Sequence, residues 1–78
     1  MILQQVARLL AEILGEGEEG ITEETAFTPE YGIQPIDAAA LVIAVEKKFH
    51  LTVYDDEAAC FATVGDVVRY IEASQGDK

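Results

Sequence analysis

Several residue types that often carry chemistry are rare in this sequence, which has no tryptophan, one cysteine, one histidine and one serine. A single cysteine cannot form a disulfide within the chain, and no Cys/His cluster is present that could hold a structural metal. Basic residues are also scarce, with 5 Lys or Arg against 15 Asp or Glu and a formal net charge of −10. Such a charge, without a basic patch, opposes binding to the phosphates of nucleic acids.

The sequence shows no basic leader with an apolar run and a cleavage site, and no apolar stretch long enough to span a membrane. We therefore expect a soluble, cytoplasmic protein that does not insert into membranes. Half of the 78 residues are hydrophobic, which predicts a single domain, residues 1–78, with a packed core. We expect a monomer whose acidic surface attracts basic partners.

Residues that could support catalysis are few. His50 follows an apolar stretch that ends in lysines, which is typical of a helix end rather than of a general base. Cys60 lies between Ala59 and Phe61, and we predict a buried structural thiol rather than a nucleophile. The sequence has no glycine-rich phosphate loop and no metal-ligand pattern, so we predict that the protein is not an enzyme and holds no metal.

Helical periodicity dominates the apolar pattern. It predicts helices at about 2–14, 35–50, 56–61 and 64–74. Residues 51–54 are interpreted as an extended connector without a pairing partner, and residues 15–34 as a long loop. Apolar side chains should pin that loop to the core; they are Ile21, Phe27, Tyr31 and Ile33. The predicted fold is all-α, a small four-helix bundle of three longer helices and one short third helix.

The predicted second helix begins at Pro35, whose fixed φ and missing N–H suit a first helical position. Its expected core stripe contains Leu41, Val45, Phe49, Ile36 and Val42. Alanines make the rest of this helix apolar, so it is either deeply buried or carries an exposed apolar patch. The last helix should begin with a capping box from Thr63 to Asp66 and face inward with Val64, Val67, Val68 and Ile71.

A set of residues between Phe27 and Ile71 follows, without a gap, the pattern of a known family: Phe27, Gly32, Leu41, Ala44, Val45, Glu46, Phe49, Asp55, Ala58, Thr63, Val64, Asp66, Tyr70 and Ile71. In this order of features the chain resembles the acyl carrier protein family. The resemblance implies a carrier fold in which a serine at the head of the second helix, in an Asp-Ser-Leu motif, holds 4′-phosphopantetheine. It also implies that the second helix is an acidic recognition surface for basic patches on partner enzymes.

This chain departs from the family pattern at the attachment position. The register places Gln34-Pro35-Ile36 on the Asp-Ser-Leu motif, so Pro35 stands where the resemblance implies a serine. The single serine is Ser74, near the C-terminus, and Thr28 lies seven residues upstream of Pro35. Proline has no hydroxyl to accept a phosphopantetheinyl group. We therefore expect no cofactor, because 4′-phosphopantetheine has no attachment point here.

The charges of the second helix also depart from the family pattern. From Ile36 to His50 two acids are balanced by two lysines, whereas six glutamates stand between Glu16 and Pro35. Partners that dock on this helix should therefore form a more apolar and less salt-sensitive contact than the family norm. The candidate partner-binding residues are Gln34, Ile36, Asp37, Ala40, Ile43 and Glu46.

The leading hypothesis is a non-catalytic interaction module, derived from a carrier, that docks on an enzyme of fatty-acid, lipid or polyketide synthesis and regulates or scaffolds it. The alternatives include a decoy copy within such a pathway and a conventional carrier whose attachment residue has been altered. Another alternative is a helical protein that binds an acyl chain non-covalently among Phe61, Ile43, Val45 and Val67. A thioester on Cys60 is the only enzymatic alternative.

Overall fold

A computed structural model describes residues 2–76, and within that range the chain forms α-helices and no β-strand. The helices are α1 (Ile2–Leu14), α2 (Pro35–Phe49), α3 (Asp55–Ala58) and α4 (Val64–Gly76). The first helix lies at the centre of the arrangement, because it packs against both α2 and α4. The predicted class, a small all-α bundle with a short third helix, is confirmed.

The core contains apolar side chains from α1, α2 and α4 and one residue of the loop between α1 and α2. They are Val6, Leu10, Ile33, Leu41, Val45, Val64, Val67, Val68 and Ile71. All four residues predicted to face inward on α4 are among them. Ile36 was predicted to join the core stripe of α2, and this was wrong because its side chain is 73% exposed. Five positions separate Ile36 from Leu41, which turns the two side chains about 140° apart around the helix.

The loop before α2 has more local structure than predicted, because two short 3₁₀ turns lie within it, Glu18–Gly20 and Pro29–Tyr31. Ile33 is fully buried, and Ile21 and Phe27 pack partly against the core, as predicted. Tyr31, however, is 55% exposed, and its predicted role in pinning the loop is wrong. The reason is local: Gly32 follows with φ of +75°, a left-handed conformation that reverses the chain, so that Ile33 enters the core while Tyr31 stays outside.

Backbone hydrogen bonds fasten this loop to the start of α4. The N–H groups of Val64 and Gly65 donate to the carbonyls of Thr25 (2.9 Å) and Glu23 (2.9 Å). In the other direction, the N–H of Phe27 donates to the carbonyl of Ala62 (3.0 Å). The first N–H groups of a helix have no partners within it, so the loop supplies acceptors that α4 needs.

The predicted capping box at the start of α4 is present. The Asp66 carboxylate accepts the N–H groups of Ala62 (2.8 Å) and Thr63 (3.1 Å), and the Thr63 hydroxyl accepts the N–H of Asp66 (3.3 Å). The hydrogen bond from the Ala62 N–H, with smaller contributions from Arg69 and Thr63, lowers the pKa of Asp66 despite the opposing effect of burial. The carboxylate therefore stays charged and keeps this helix end satisfied in mildly acidic solution.

The third helix begins and ends earlier than predicted, over Asp55–Ala58, and the prediction for Cys60 is wrong. Cys60 is exposed, not buried. The chain leaves the helix through a turn in which Cys60 N–H bonds to the Glu57 carbonyl and Phe61 N–H to the Ala58 carbonyl. Ala58 and Phe61, three residues apart, are both half-buried, and Cys60 lies on the opposite, outer side of this turn.

Candidate functional site

Two polar residues at the N-terminal end of α2, Gln34 and Asp37, form hydrogen bonds that cap the helix. The carboxylate of Asp37 accepts the N–H of Gln34 at 3.0 Å, which caps the helix from its third position. The Gln34 carbonyl in turn accepts the N–H groups of Asp37 (2.9 Å) and Ala38 (3.1 Å). Between them Pro35 occupies the first helical position, where its missing N–H leaves no donor unsatisfied. Asp37 thus has a structural role as well as its predicted place in a partner site.

One face of α2 is apolar and largely exposed, and we call it the α2 face: exposed Ile36, Ala39 and Ile43, and half-buried Ala40. Ile36 is 73% exposed and Ile43 53% exposed, although both are large aliphatic residues. Spacings of three, four and seven residues place these side chains on the same side of a helix. The sequence left open whether this alanine-rich helix is deeply buried or carries an exposed apolar patch. The structure shows the exposed patch.

The six predicted partner-binding residues divide into two groups in the structure. Ile36, Ala40 and Ile43 lie together on the α2 face, and exposed Gln34 stands at its N-terminal end. Asp37 and Glu46 are half-buried and their carboxylates accept backbone N–H groups. Glu46 accepts the N–H of Val53 at 2.8 Å and so fastens the connector between α2 and α3. Apolar side chains, not carboxylates, therefore dominate what this helix presents outward.

A groove of about 360 Å³ lies beside the α2 face, between α2, α3 and the loop, and Ala39 borders both the face and the groove. It is lined by Phe27, Pro35, Ala38, Ala39, Leu41, Val42, Asp55, Ala58, Ala59, Phe61 and Val67. Two of the residues predicted to shelter an acyl chain, Phe61 and Val67, line it. The other two do not, because Ile43 points outward on the α2 face and Val45 is buried in the core.

Small side chains create this groove, and the sequence analysis missed them. Ala38 and Ala39 on α2 face Ala58 and Ala59 at the end of α3, so methyl groups border a space that larger residues would fill. Two alanine pairs in predicted neighbouring helices were the available signal. The pairs alone do not indicate that the helices face each other.

Other chemistry is absent from the described part of the chain. Within residues 2–76 no group of three or more His, Cys, Asp or Glu side chains could hold a metal ion. No helix in the same range combines the length and the apolar character needed to cross a bilayer. His50 caps α2 at its C-terminal end, as predicted for a helix-end residue.

Comparison with known proteins defines the class of protein that this bundle represents. Residues 4–71 match a family model described as a phosphopantetheine attachment site. The acyl carrier protein of Wolinella succinogenes is 39% identical over 74 residues, which cover 95% of this chain and 97% of that protein. The acyl carrier proteins of Exiguobacterium sibiricum and of an Exiguobacterium sp. are each 41% identical over 71 residues, 91% of this chain and 90% of theirs.

The chain therefore belongs to the acyl carrier protein family, as its resemblance predicts. Proteins of this family carry a prosthetic group for partner enzymes and do not themselves catalyse a reaction. The prediction that the chain is not an enzyme is thereby confirmed.

The family's prosthetic group, phosphopantetheine, needs a side-chain hydroxyl for its attachment. Residues 34–37 at the start of α2 contain no hydroxyl group, and the one carboxylate there, Asp37, accepts the Gln34 N–H. Ser74 is exposed in the C-terminal part of α4, and Thr28 is half-buried just before the second 3₁₀ turn. The residues at the start of α2 thus do not fit the covalent attachment of this group.

Proposed function

We propose that this protein is a cytoplasmic, non-catalytic member of the acyl carrier protein family that carries no 4′-phosphopantetheine. It acts instead as an interaction or regulatory module that docks, as a monomer, on enzymes of fatty-acid, lipid or polyketide synthesis. The observation that carries the proposal is Pro35: it stands at the first position of α2, where the family resemblance implies the attachment serine.

The α2 face supports docking as the retained function. Two large aliphatic side chains exposed at one side of a helix are the kind of anchor that an apolar groove on a partner accepts. The six glutamates between residues 16 and 30 supply a separate acidic region that attracts a basic partner from a distance. Salt should therefore slow association with such a partner and change its dissociation rate little.

The attachment claim is tested by intact mass. The protein purified from its own organism, and the same protein incubated with coenzyme A and a phosphopantetheinyl transferase, should both keep the mass of the bare chain. A Gln34→Asp/Pro35→Ser variant, which restores a hydroxyl at the head of α2, should gain the mass of one phosphopantetheinyl group.

A matched control places the hydroxyl elsewhere on the same helix. Ala40→Ser, on the α2 face, should remain unmodified under the same conditions. An added phosphopantetheinyl mass on the wild-type protein would overturn the proposal and show that the chain is a conventional acyl carrier.

The groove favours a second candidate function, the non-covalent binding of an acyl chain. Its volume of about 360 Å³ lies within the range of small-ligand sites, and most of its lining side chains are apolar. A fatty acid should then raise the melting temperature of the wild-type protein. Ala58→Leu, which fills the groove, should abolish that rise, and Ala40→Leu, on the α2 face, should preserve it. No rise with the wild-type protein rejects this candidate.

A further inference from the structure

Among residues 2–76, one charged residue lines the groove between α2, α3 and the loop. It is Asp55, exposed at the start of α3, and every other lining side chain is apolar. The basic residues that the structure describes lie elsewhere; they are Arg8, Lys47, Lys48 and Arg69. The lining therefore presents a carboxylate, and no cation, to the head group of any ligand whose tail enters the groove.

The helix ends beside the groove do not supply the missing positive charge. The N-terminal end of a helix attracts anions, and the first residues of α2 and α3, Pro35 and Asp55, both line the groove. Each of these ends, however, already has a carboxylate of its own. Asp37 on α2 and Glu57 on α3 each accept the backbone N–H of the residue that precedes the helix. A carboxylate brought by a ligand would meet these negative charges as well as Asp55.

We propose that the groove selects an amphiphile with a cationic head, a long-chain aliphatic ammonium ion, over a fatty acid with the same tail. The tail packs against the apolar lining, which includes Ala38, Ala58 and Phe61, and the ammonium group pairs with the Asp55 carboxylate. This inference rests on the second candidate function, the non-covalent binding of an aliphatic chain in the groove, and names the class of ligand that the groove takes.

The head group decides between ligands whose tails are equal, because burial of the tail then contributes equally to each. An ammonium group attracts the Asp55 carboxylate, whereas a second carboxylate is repelled by it. At an exposed site this contrast should separate the two affinities by about tenfold. The net charge of −10 acts in the same direction over a longer range. Added salt should therefore reduce the difference between the two ligands.

Titration of the full chain with three ligands of equal tail tests the preference. Decylamine, 1-decanol and decanoate are added at about pH 7, where the amine is protonated and the carboxylic acid is ionised. Amide chemical shifts measure binding at ligand concentrations below those at which micelles form. Decylamine should bind about tenfold more tightly than decanoate, with 1-decanol between them. Equal affinities, or tighter binding of decanoate, overturn the proposal.

Two substitutions with the same change of charge separate Asp55 from the overall charge of the protein. Asp55→Asn should lower the affinity for decylamine to that for 1-decanol, and unchanged binding of 1-decanol would show that the groove is intact. Asp56→Asn is the matched control, because Asp56 is exposed and adjacent but does not line the groove. The control should keep the preference for decylamine. Equal effects of the two substitutions would assign the preference to net charge and overturn the proposal.

The same titrations locate the ligand. The amides of Ala38, Ala58 and Phe61 should shift on addition of decylamine, because these residues line the groove. Ala58→Leu, which fills the groove, should abolish binding of all three ligands, whereas Ala40→Leu, on the α2 face, should preserve it. Binding of decylamine that survives Ala58→Leu would place the ligand elsewhere on the acidic surface and reject the groove.

The outcomes distinguish this inference from the functions on which it builds. If all three ligands bind equally well in the groove, the preference for a cationic head is wrong and the groove remains a site for an aliphatic chain. If none of them binds, both the preference and the second candidate function are rejected. The intact mass of the wild-type protein tests the absence of phosphopantetheine separately, so neither result changes that part of the proposed function.

Discussion

At the scale of single residues, His50 is the only non-glycine residue between 2 and 76 whose φ is positive, at 55°. It ends α2 by donating its N–H to the carbonyl of Glu46. The left-handed conformation costs an L-residue with a side chain about 1–2 kcal/mol, a cost that glycine does not have. Histidine therefore occupies a position whose backbone conformation suits glycine.

We predict that His50→Gly raises the free energy of unfolding by about 0.5–1 kcal/mol. The relief of left-handed strain should exceed the greater entropy of glycine in the unfolded chain. Urea denaturation followed by circular dichroism measures the change. Lys47→Gly, three residues earlier within the helix, should instead lower the free energy of unfolding by about 1 kcal/mol. Destabilisation by both substitutions would contradict the role assigned to the His50 conformation.

At the scale of elements, α3 depends on contacts made by other helices. A helix of four residues is not stable alone, because too few hydrogen bonds compensate for its nucleation. The Tyr70 hydroxyl of α4 lies 2.7 Å from Glu57 Oε1 in α3 and 3.0 Å from the Thr52 carbonyl in the connector. The Tyr70 ring also meets the Phe61 ring edge-on, with centroids 5.5 Å apart. One tyrosine thus joins α4 to α3 and to the connector.

The hydrogen bond to Glu57, together with burial and nearby negative charges, raises the pKa of Tyr70 to about 12. Because the folded pKa lies above the unfolded value of 10.0, this interaction stabilises the fold fully below pH 10 and is lost as the pH rises toward 12. We predict that Tyr70→Phe is less stable than the wild-type protein at pH 8 and that the difference shrinks above pH 10.

Denaturation curves between pH 8 and about 11.5 measure this convergence, since that range passes through the unfolded pKa and approaches the folded one. Tyr31→Phe removes one phenol from an exposed tyrosine elsewhere and serves as the control. A difference between Tyr70→Phe and the wild-type protein that stays constant across this range would contradict the assigned hydrogen bond.

The elements also show what the sequence could predict. The bounds of α1, α2 and α4 follow from a long apolar period and from local signals such as Pro35 and the Thr63–Asp66 capping box. The bounds of α3 and the exposure of Cys60 do not, because contacts from α4 position a helix of one turn. The prediction that Tyr31 packs against the core was wrong for a related reason. The left-handed conformation of Gly32 determines which side chain of the loop points inward, and this cannot be read from the apolar character of the residues alone.

At the scale of the whole molecule, the candidate site was predictable in part. The apolar residues all round α2 left two alternatives open, a deeply buried helix and an exposed patch, and the structure has the patch, with Ile43 on it. The groove was not predictable, because its walls come from α2, α3 and the loop, and only the assembled bundle brings Ala38 and Ala58 to the same space. Acidic residues were expected outward, yet Glu46 turns toward the backbone of Val53.

The hydrogen bonds between the loop and the start of α4 have a consequence for biosynthesis. The hydrogen bonds that hold residues 23–27 come from residues 62–65, which follow the acidic segment by about 40 residues and are therefore synthesised after it. A nascent chain on the ribosome that lacks those residues still has an unplaced acidic segment. The acidic segment and the start of α4 therefore reach their final arrangement together, after residues 62–65 have been synthesised.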